Sequence, residues 1–179
     1  MPILTILVYD YAGVPPDTLL GAEQIAGDIF LHAGVEVIWR PCRMVNSPSR
    51  LVECPDPSPI TPGLRLVHEL RVARHGVRAD AMGYATGDLA TVSMEFIERL
   101  QKSGCGPLSE ILGSVMAHEV GHLLLPGVGH SIRGIMRARW TQTEWVLIGQ
   151  GRLHFVPEQA RILKAEVLTR MQPIVKESQ

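Results

Sequence analysis

No run of apolar residues in this chain approaches the roughly 20 needed to cross a bilayer, so a membrane-spanning protein is not expected. Net charge is also scarce. The 17 basic and 18 acidic residues leave a formal charge of -1, which argues against an extended nucleic-acid surface. Cysteines number three, and no CxxC pair occurs, so a cysteine zinc knuckle is not expected. Cys42 and Cys54 bracket a Pro- and Ser-rich loop. They can pair in an oxidising compartment, while three unpaired thiols is the simpler reading. Internal repeats are lacking, as is a second hydrophobic unit. The 179 residues, 46% of them hydrophobic, therefore read as one domain with a sizeable core and not as a disordered chain.

The opening, MPILTILVYDYAG, lacks a basic leader region and is interrupted early by Asp10. It reads as a buried strand and not a signal peptide. A cytoplasmic protein is the default expectation, and secretion stays open if a leader has been removed. A monomer is expected.

The branched residues 3–9 predict a first strand. Asp17 or Thr18 offers a helix cap, the helix stops at Gly34, and residues 35–40 predict a second strand. This strand–helix–strand opening points to a crossover unit and a partly parallel sheet. Residues 41–62 hold six prolines and predict a loop. Strands are predicted over 64–72, 81–86 and 89–96. The last two are joined by the turn Gly87–Asp88 as an antiparallel hairpin, and 97–107 reads as irregular. A central, largely apolar helix follows over 110–125, with Ser109 as its cap and Pro126–Gly127 as its end. Thr141 and Glu144 form a capping-box pattern ahead of a short helix. A last helix runs from Pro157 to Met171, and the polar tail after Pro173 is expected to fray.

The central helix carries His118-Glu119-Val120-Gly121-His122, an HExxH pattern. Positions i and i+4 share one helix face, so the two imidazoles can hold one metal ion. Imidazole nitrogens suit zinc. Glu119, one position round from His118, can reach a metal-bound water without ligating the ion. A metal lowers the pKa of its water toward neutral, and a carboxylate can take the proton and return it to a leaving amine. Two histidines and a glutamate on an apolar helix are costly unless something pairs with them. A catalytic zinc site takes three protein ligands and keeps one position open. The third is expected just past the helix, where Pro126-Gly127-Val128-Gly129 turns the chain back and His130 follows. The two glycines can take positive φ. His32, His68, His75 and His154 are rival ligands, each more simply an ordinary histidine, and Asp88 or Glu95 could approach from a strand.

Six residues after His130, and just after Gly134–Ile135, comes Met136. On these residues the chain resembles the metzincin clan of zinc peptidases, whose pattern is HExxHxxGxxH followed by a Met-turn. The resemblance covers residues 3–136. It implies an α/β (α+β) zincin fold: a mixed, mostly parallel twisted sheet with an antiparallel edge strand, packed on the active-site helix, and a small helical C-terminal part. Residues 1–125 would form an N-terminal subdomain and 126–179 a C-terminal one. It further implies His118, His122 and His130 as zinc ligands, Glu119 as general base and Met136 as the Met-turn residue beneath the metal. Here the third histidine lies eight residues after the second, not six, and an inserted Pro126–Gly127 would restore the register. The size is similar to the archaemetzincin branch, but the four downstream cysteines for a second zinc are missing. No Tyr follows the Met-turn. Trp140 stands in that region and reads as a core or wall aromatic.

In the clan an edge strand pairs with extended substrate, which points to residues 81–86, with Gly83 and Tyr84. Arg137 and Arg139 flank Met136 and could meet an acidic side chain or a C-terminal carboxylate of a substrate, or simply be solvated. The function expected is zinc-dependent endopeptidase. The alternatives are a metal-dependent amidase or aminopeptidase on small substrates, favoured by a deep closed pocket, and a metal-binding but catalytically silent interaction module.

Overall fold

The computed structural model describes residues 1–42, 54–70 and 81–171. Five strands, β1 (Ile3–Asp10), β2 (Glu36–Pro41), β3 (Gly63–Val67), β4 (Gly83–Thr86) and β5 (Leu89–Ser93), form one sheet in the order β2-β1-β3-β5-β4. β1 pairs in parallel with β2 and β3, and β3 with β5, while β4 runs antiparallel to β5 at the edge. The mixed, mostly parallel sheet with one antiparallel edge strand is the architecture that the resemblance implies.

Branched residues make the central strands. Leu4, Ile6 and Val8 of β1 and Leu64 and Leu66 of β3 are buried, and alternation places each set on one face. Against them lie α1 (Pro16–His32) and α3 (Leu108–Leu124), which pack on each other. α1 buries Ala22, Ala26, Ile29 and Phe30, a helical stripe. α3 is buried on nearly all sides from Ile111 to Gly121, because the sheet covers one face and α1, α4 (Gln142–Gly149) and α5 (Pro157–Arg170) cover others.

The element boundaries differ from expectation where caps decide them. α1 begins at Pro16 without a side-chain cap, so neither Asp17 nor Thr18 serves. α3 begins at Leu108 behind Pro107, so Ser109 lies inside it. The strand read over 89–96 stops at Ser93, whose hydroxyl accepts from the Phe96 amide at 3.4 Å and starts α2 (Met94–Lys102). Met94, read as strand, and Ile97, read as the start of an irregular stretch, carry this helix into the core. β3 ends at Val67, short of residue 72. Part of the 41–62 loop, residue 75 and the tail after Pro173 lie outside the described residues. Cys42 and Cys54 are joined in a disulfide with Cα atoms 5.4 Å apart, and Cys105 is free, so the simpler reading of three thiols does not hold. No helix among the described residues is long and apolar enough to cross a membrane.

The candidate metal centre

His118 and His122 project from the same face of α3, and their Nε2 atoms lie 3.1 Å apart. Beyond Leu124 the helix ends at Leu125, and the Val128 amide donates back to the Leu125 carbonyl at 3.0 Å. Gly127 takes a φ of +70°, which a side chain would resist. Gly129, the other glycine expected to do so, is not in that region. The turn returns His130 to the helix, with its ring centroid 5.3 Å from that of His118 and 4.8 Å from that of His122. One ligand nitrogen from each of the three lies within 4.8 Å of the others. Among the described residues no other group of three His, Cys, Asp or Glu is so placed.

The donor set fits zinc. Two imidazole nitrogens, each about 2.0–2.1 Å from a tetrahedral zinc, would sit about 3.3 Å from each other, close to the 3.1 Å between His118 and His122. The Nδ1–H of His118 donates to the Ile135 carbonyl at 2.7 Å. A carbonyl only accepts, so Nδ1 carries the proton and Nε2 presents a lone pair toward the other histidines. Burial, reinforced by His122 and His130, lowers the His118 pKa to about 3 despite that hydrogen bond, and burial with His130 lowers His122 to about 4. Both imidazoles are therefore neutral at neutral pH, as ligands must be.

Glu119 is 3% exposed, and burial raises its pKa to about 8. A dication held by the histidines would act in the opposite sense. The carboxyl packs against β4. A β-carbon on Gly83 would come within 2.8 Å of Glu119 Cγ and Cδ and collide with the Thr91 carbonyl oxygen.

Met136 is fully buried and lies under the HExxH turn. A β-carbon on Gly121 would fall 2.7 Å from Met136 Sδ and 2.9 Å from Phe155 Cε1. The loop carrying Met136 is closed by Ser131 N–H to the Met136 carbonyl, 2.9 Å, and Ile135 N–H to the His154 carbonyl, 2.9 Å. The Ile135 carbonyl accepts from Trp140 Nε1 at 3.1 Å as well as from His118. Trp140 is thus a wall aromatic, as read from sequence, and also a donor to the group that orients His118. Sequence reasoning missed that second part.

It also missed what Arg137 does. The guanidinium Nη1 donates to both Glu144 carboxylate oxygens at 2.9 and 3.1 Å, and Thr141 donates to Glu144 Oε2 through its amide and its hydroxyl, each at 2.7 Å. Burial would raise the Glu144 pKa, but these hydrogen bonds and the Arg137 charge hold it down at about 2. Arg137 is therefore an internal tie of the loop. The Thr141–Glu144 half of this network was visible as a capping box.

The rivals do not gather at the centre. His32 and His154 stack on each other with centroids 4.1 Å apart. His68 is exposed, His75 lies outside the described residues, and neither Asp88 nor Glu95 joins the histidine group. The hydroxyl of Tyr84 accepts from Arg65 Nη2 at 3.1 Å, which ties that side chain to the sheet.

Two clefts flank the histidines along β4. One, about 640 Å³, is bordered by Gly83, Ala85, His122 and Val128. The other, about 560 Å³, is bordered by Met82, Phe96, His118, Trp140 and Trp145. Ala81, Gly83, Glu119 and His130 border both.

No protein-family model matches the chain, and no curated protein matches it. Among solved structures, the chain is similar to a zinc-dependent peptidase from Methanocorpusculum labreanum, with a TM-score of 0.56 and 17% identity over 88% of this chain and 99% of that one. The two proteins share a fold, and this chain matches that peptidase over nearly its whole length.

Proposed function

We propose that the protein is a zinc-dependent metallopeptidase of metzincin type that cleaves within polypeptides. His118, His122 and His130 are its zinc ligands, Glu119 its general base and Met136 its Met-turn residue. The observation that carries this reading is the convergence of three imidazoles beside one buried carboxyl group, between two clefts along a sheet edge. The solved fold relative described as a zinc-dependent peptidase supports it.

Zinc bound there supplies Lewis acidity for a water molecule and for the scissile carbonyl. Glu119 accepts the proton of the attacking water and then delivers it to the leaving amine. Ile135 holds His118 in the tautomer that binds metal, and Trp140 and the Arg137–Glu144 pair hold that stretch of chain.

Substrate is held by β4. The Ser93 amide donates to the Met82 carbonyl, so alternation turns the backbone groups of Tyr84 and Thr86 toward β5 and those of Gly83 and Ala85 outward. An extended peptide can pair with those outward groups. Clefts on both sides of the centre favour a chain running through the site over a small molecule held in one closed pocket.

The test is incubation of the zinc-loaded protein with a mixed peptide library and mass spectrometry of the products. Internal cleavage that stops with a chelator and returns with zinc is expected. Release of single terminal residues only would favour the aminopeptidase reading, and no cleavage by zinc-loaded protein the silent one.

A further inference from the structure

The edge of the sheet opposite the metal centre is β2, five residues of which read Glu36-Val37-Ile38-Trp39-Arg40. Its order of charges and apolar residues is complementary to its own reverse. The register with β1 fixes which backbone groups remain outside. The Glu36 amide donates to the Pro2 carbonyl and the Cys42 amide to the Val8 carbonyl. Even-numbered residues of β2 therefore point their N–H and C=O groups at β1, and those of Val37 and Trp39 point away from the sheet. An edge with outward donors and acceptors is a template for another strand.

On the side chains, Glu36, Ile38 and Arg40 share one face and all are exposed, Ile38 by 48%. Neither Glu36 nor Arg40 forms an ion pair within the described residues. Val37 and Trp39 face α1, where a cleft of about 350 Å³ separates them from Leu20 and Leu31, both half-exposed. The cleft leaves room at the edge on the helix side.

From these features we infer that β2 pairs antiparallel with β2 of a second copy of this chain, about a two-fold axis through Ile38. In that register Val37 of each copy lies opposite Trp39 of the other, and each such pair exchanges two backbone hydrogen bonds. These are the two residues whose groups point outward. Ile38 meets Ile38 at a non-hydrogen-bonded position, where side chains approach most closely. Glu36 falls opposite Arg40 at both ends, giving two ion pairs by symmetry. Shifting the register by two residues in either direction breaks both ion pairs, and shifting it by one turns the outward groups out of phase. Pro41 has no N–H, so the ladder ends there. The contact is isologous and closes as a dimer. The two metal centres lie beside β4, at the far ends of the joined sheet, so their clefts stay open.

The charge pattern makes the test specific. Sedimentation equilibrium of the full chain is expected to show a monomer–dimer equilibrium. Glu36→Arg and Arg40→Glu are each expected to weaken the dimer by about tenfold or more, since each variant turns two attractions into two repulsions. An equimolar mixture of the two single variants should recover the dimer, because every Arg then faces a Glu. The double variant Glu36→Arg/Arg40→Glu should recover it within one chain. Recovery in the mixture also shows that each single variant is folded. A wild-type chain monomeric up to its solubility limit, or single variants that dimerise as tightly as wild type, would overturn the inference.

Discussion

The Nδ1–H of His118 donates to the carbonyl oxygen of Ile135 at 2.7 Å. Through that bond the residue next to Met136 decides which nitrogen of a histidine seventeen positions earlier is free to bind metal. The two halves of the motif, the helix and the later turn, are thereby one device.

Zinc content gives the first prediction. His118→Ala, His122→Ala and His130→Ala should each lower zinc per chain, measured by elemental analysis after gel filtration, while His32→Ala, His68→Ala and His154→Ala should leave it at about one. Full zinc retention in His130→Ala would remove that residue from the ligand set.

Gly121→Ala is expected to destabilise the fold. Its β-carbon would overlap Met136 Sδ at 2.7 Å and the Phe155 ring at 2.9 Å, in a core already closed on every side. Overpacking of this kind costs about 1–3 kcal/mol, read as a lowered midpoint in urea with an unchanged slope. Gly121→Ala combined with Met136→Ala should cost less than the sum of the two single changes, since the residues are in contact.

At Gly83 a β-carbon meets Glu119 Cγ and Cδ. Gly83→Ala should therefore displace the carboxyl group and lower kcat more than it lowers zinc content. A variant with wild-type kcat would show that the contact yields without moving Glu119.

Acid and base should each destabilise protein stripped of metal by a chelator, through different groups. The pKa values of His118 and His122 are depressed in the folded state, to about 3 and about 4 from 6.5. The unfolded chain takes up those protons first, so stability falls as pH drops from about 6.5 toward 3. Glu119 is raised to about 8 from 4.5. Here the folded state keeps the proton longer, so stability falls as pH rises from about 4.5 to 8. Glu119→Gln removes only the second effect. Its Tm in chelator should exceed that of wild type at pH 8, with the difference shrinking toward pH 4.5. An equal difference at both pH values would exclude burial of Glu119 as the cause.

The strand–helix–strand opening and the β4–β5 hairpin were legible because periodicity and turn residues agree in β1, α1 and the turn at Gly87, whereas the order of strands across the sheet was not. The HExxH spacing and His130 were legible because a helix fixes i and i+4 on one face, and a Pro-Gly break marks where the chain can return. What was not legible depends on neighbours far along the chain. Ser93 ends a strand and starts a helix through its own hydroxyl, a choice that the apolar pattern of 89–96 does not reveal. Arg137 read as a solvated arginine or a group for substrate, and only the fold brings Glu144 under it. The need for glycine at positions 83 and 121 comes from Glu119 and Met136, which no local pattern connects to them. The cysteine pairing likewise follows from where β2 and the loop before β3 come together.

The most direct test of the metallopeptidase reading is Glu119→Gln, assayed at once for zinc and for peptide cleavage. Glutamine keeps the shape of the side chain but cannot take a proton. About one zinc per chain retained, with kcat lowered by about 10²–10⁴, is the result expected. Zinc retained with cleavage at the wild-type rate would contradict it.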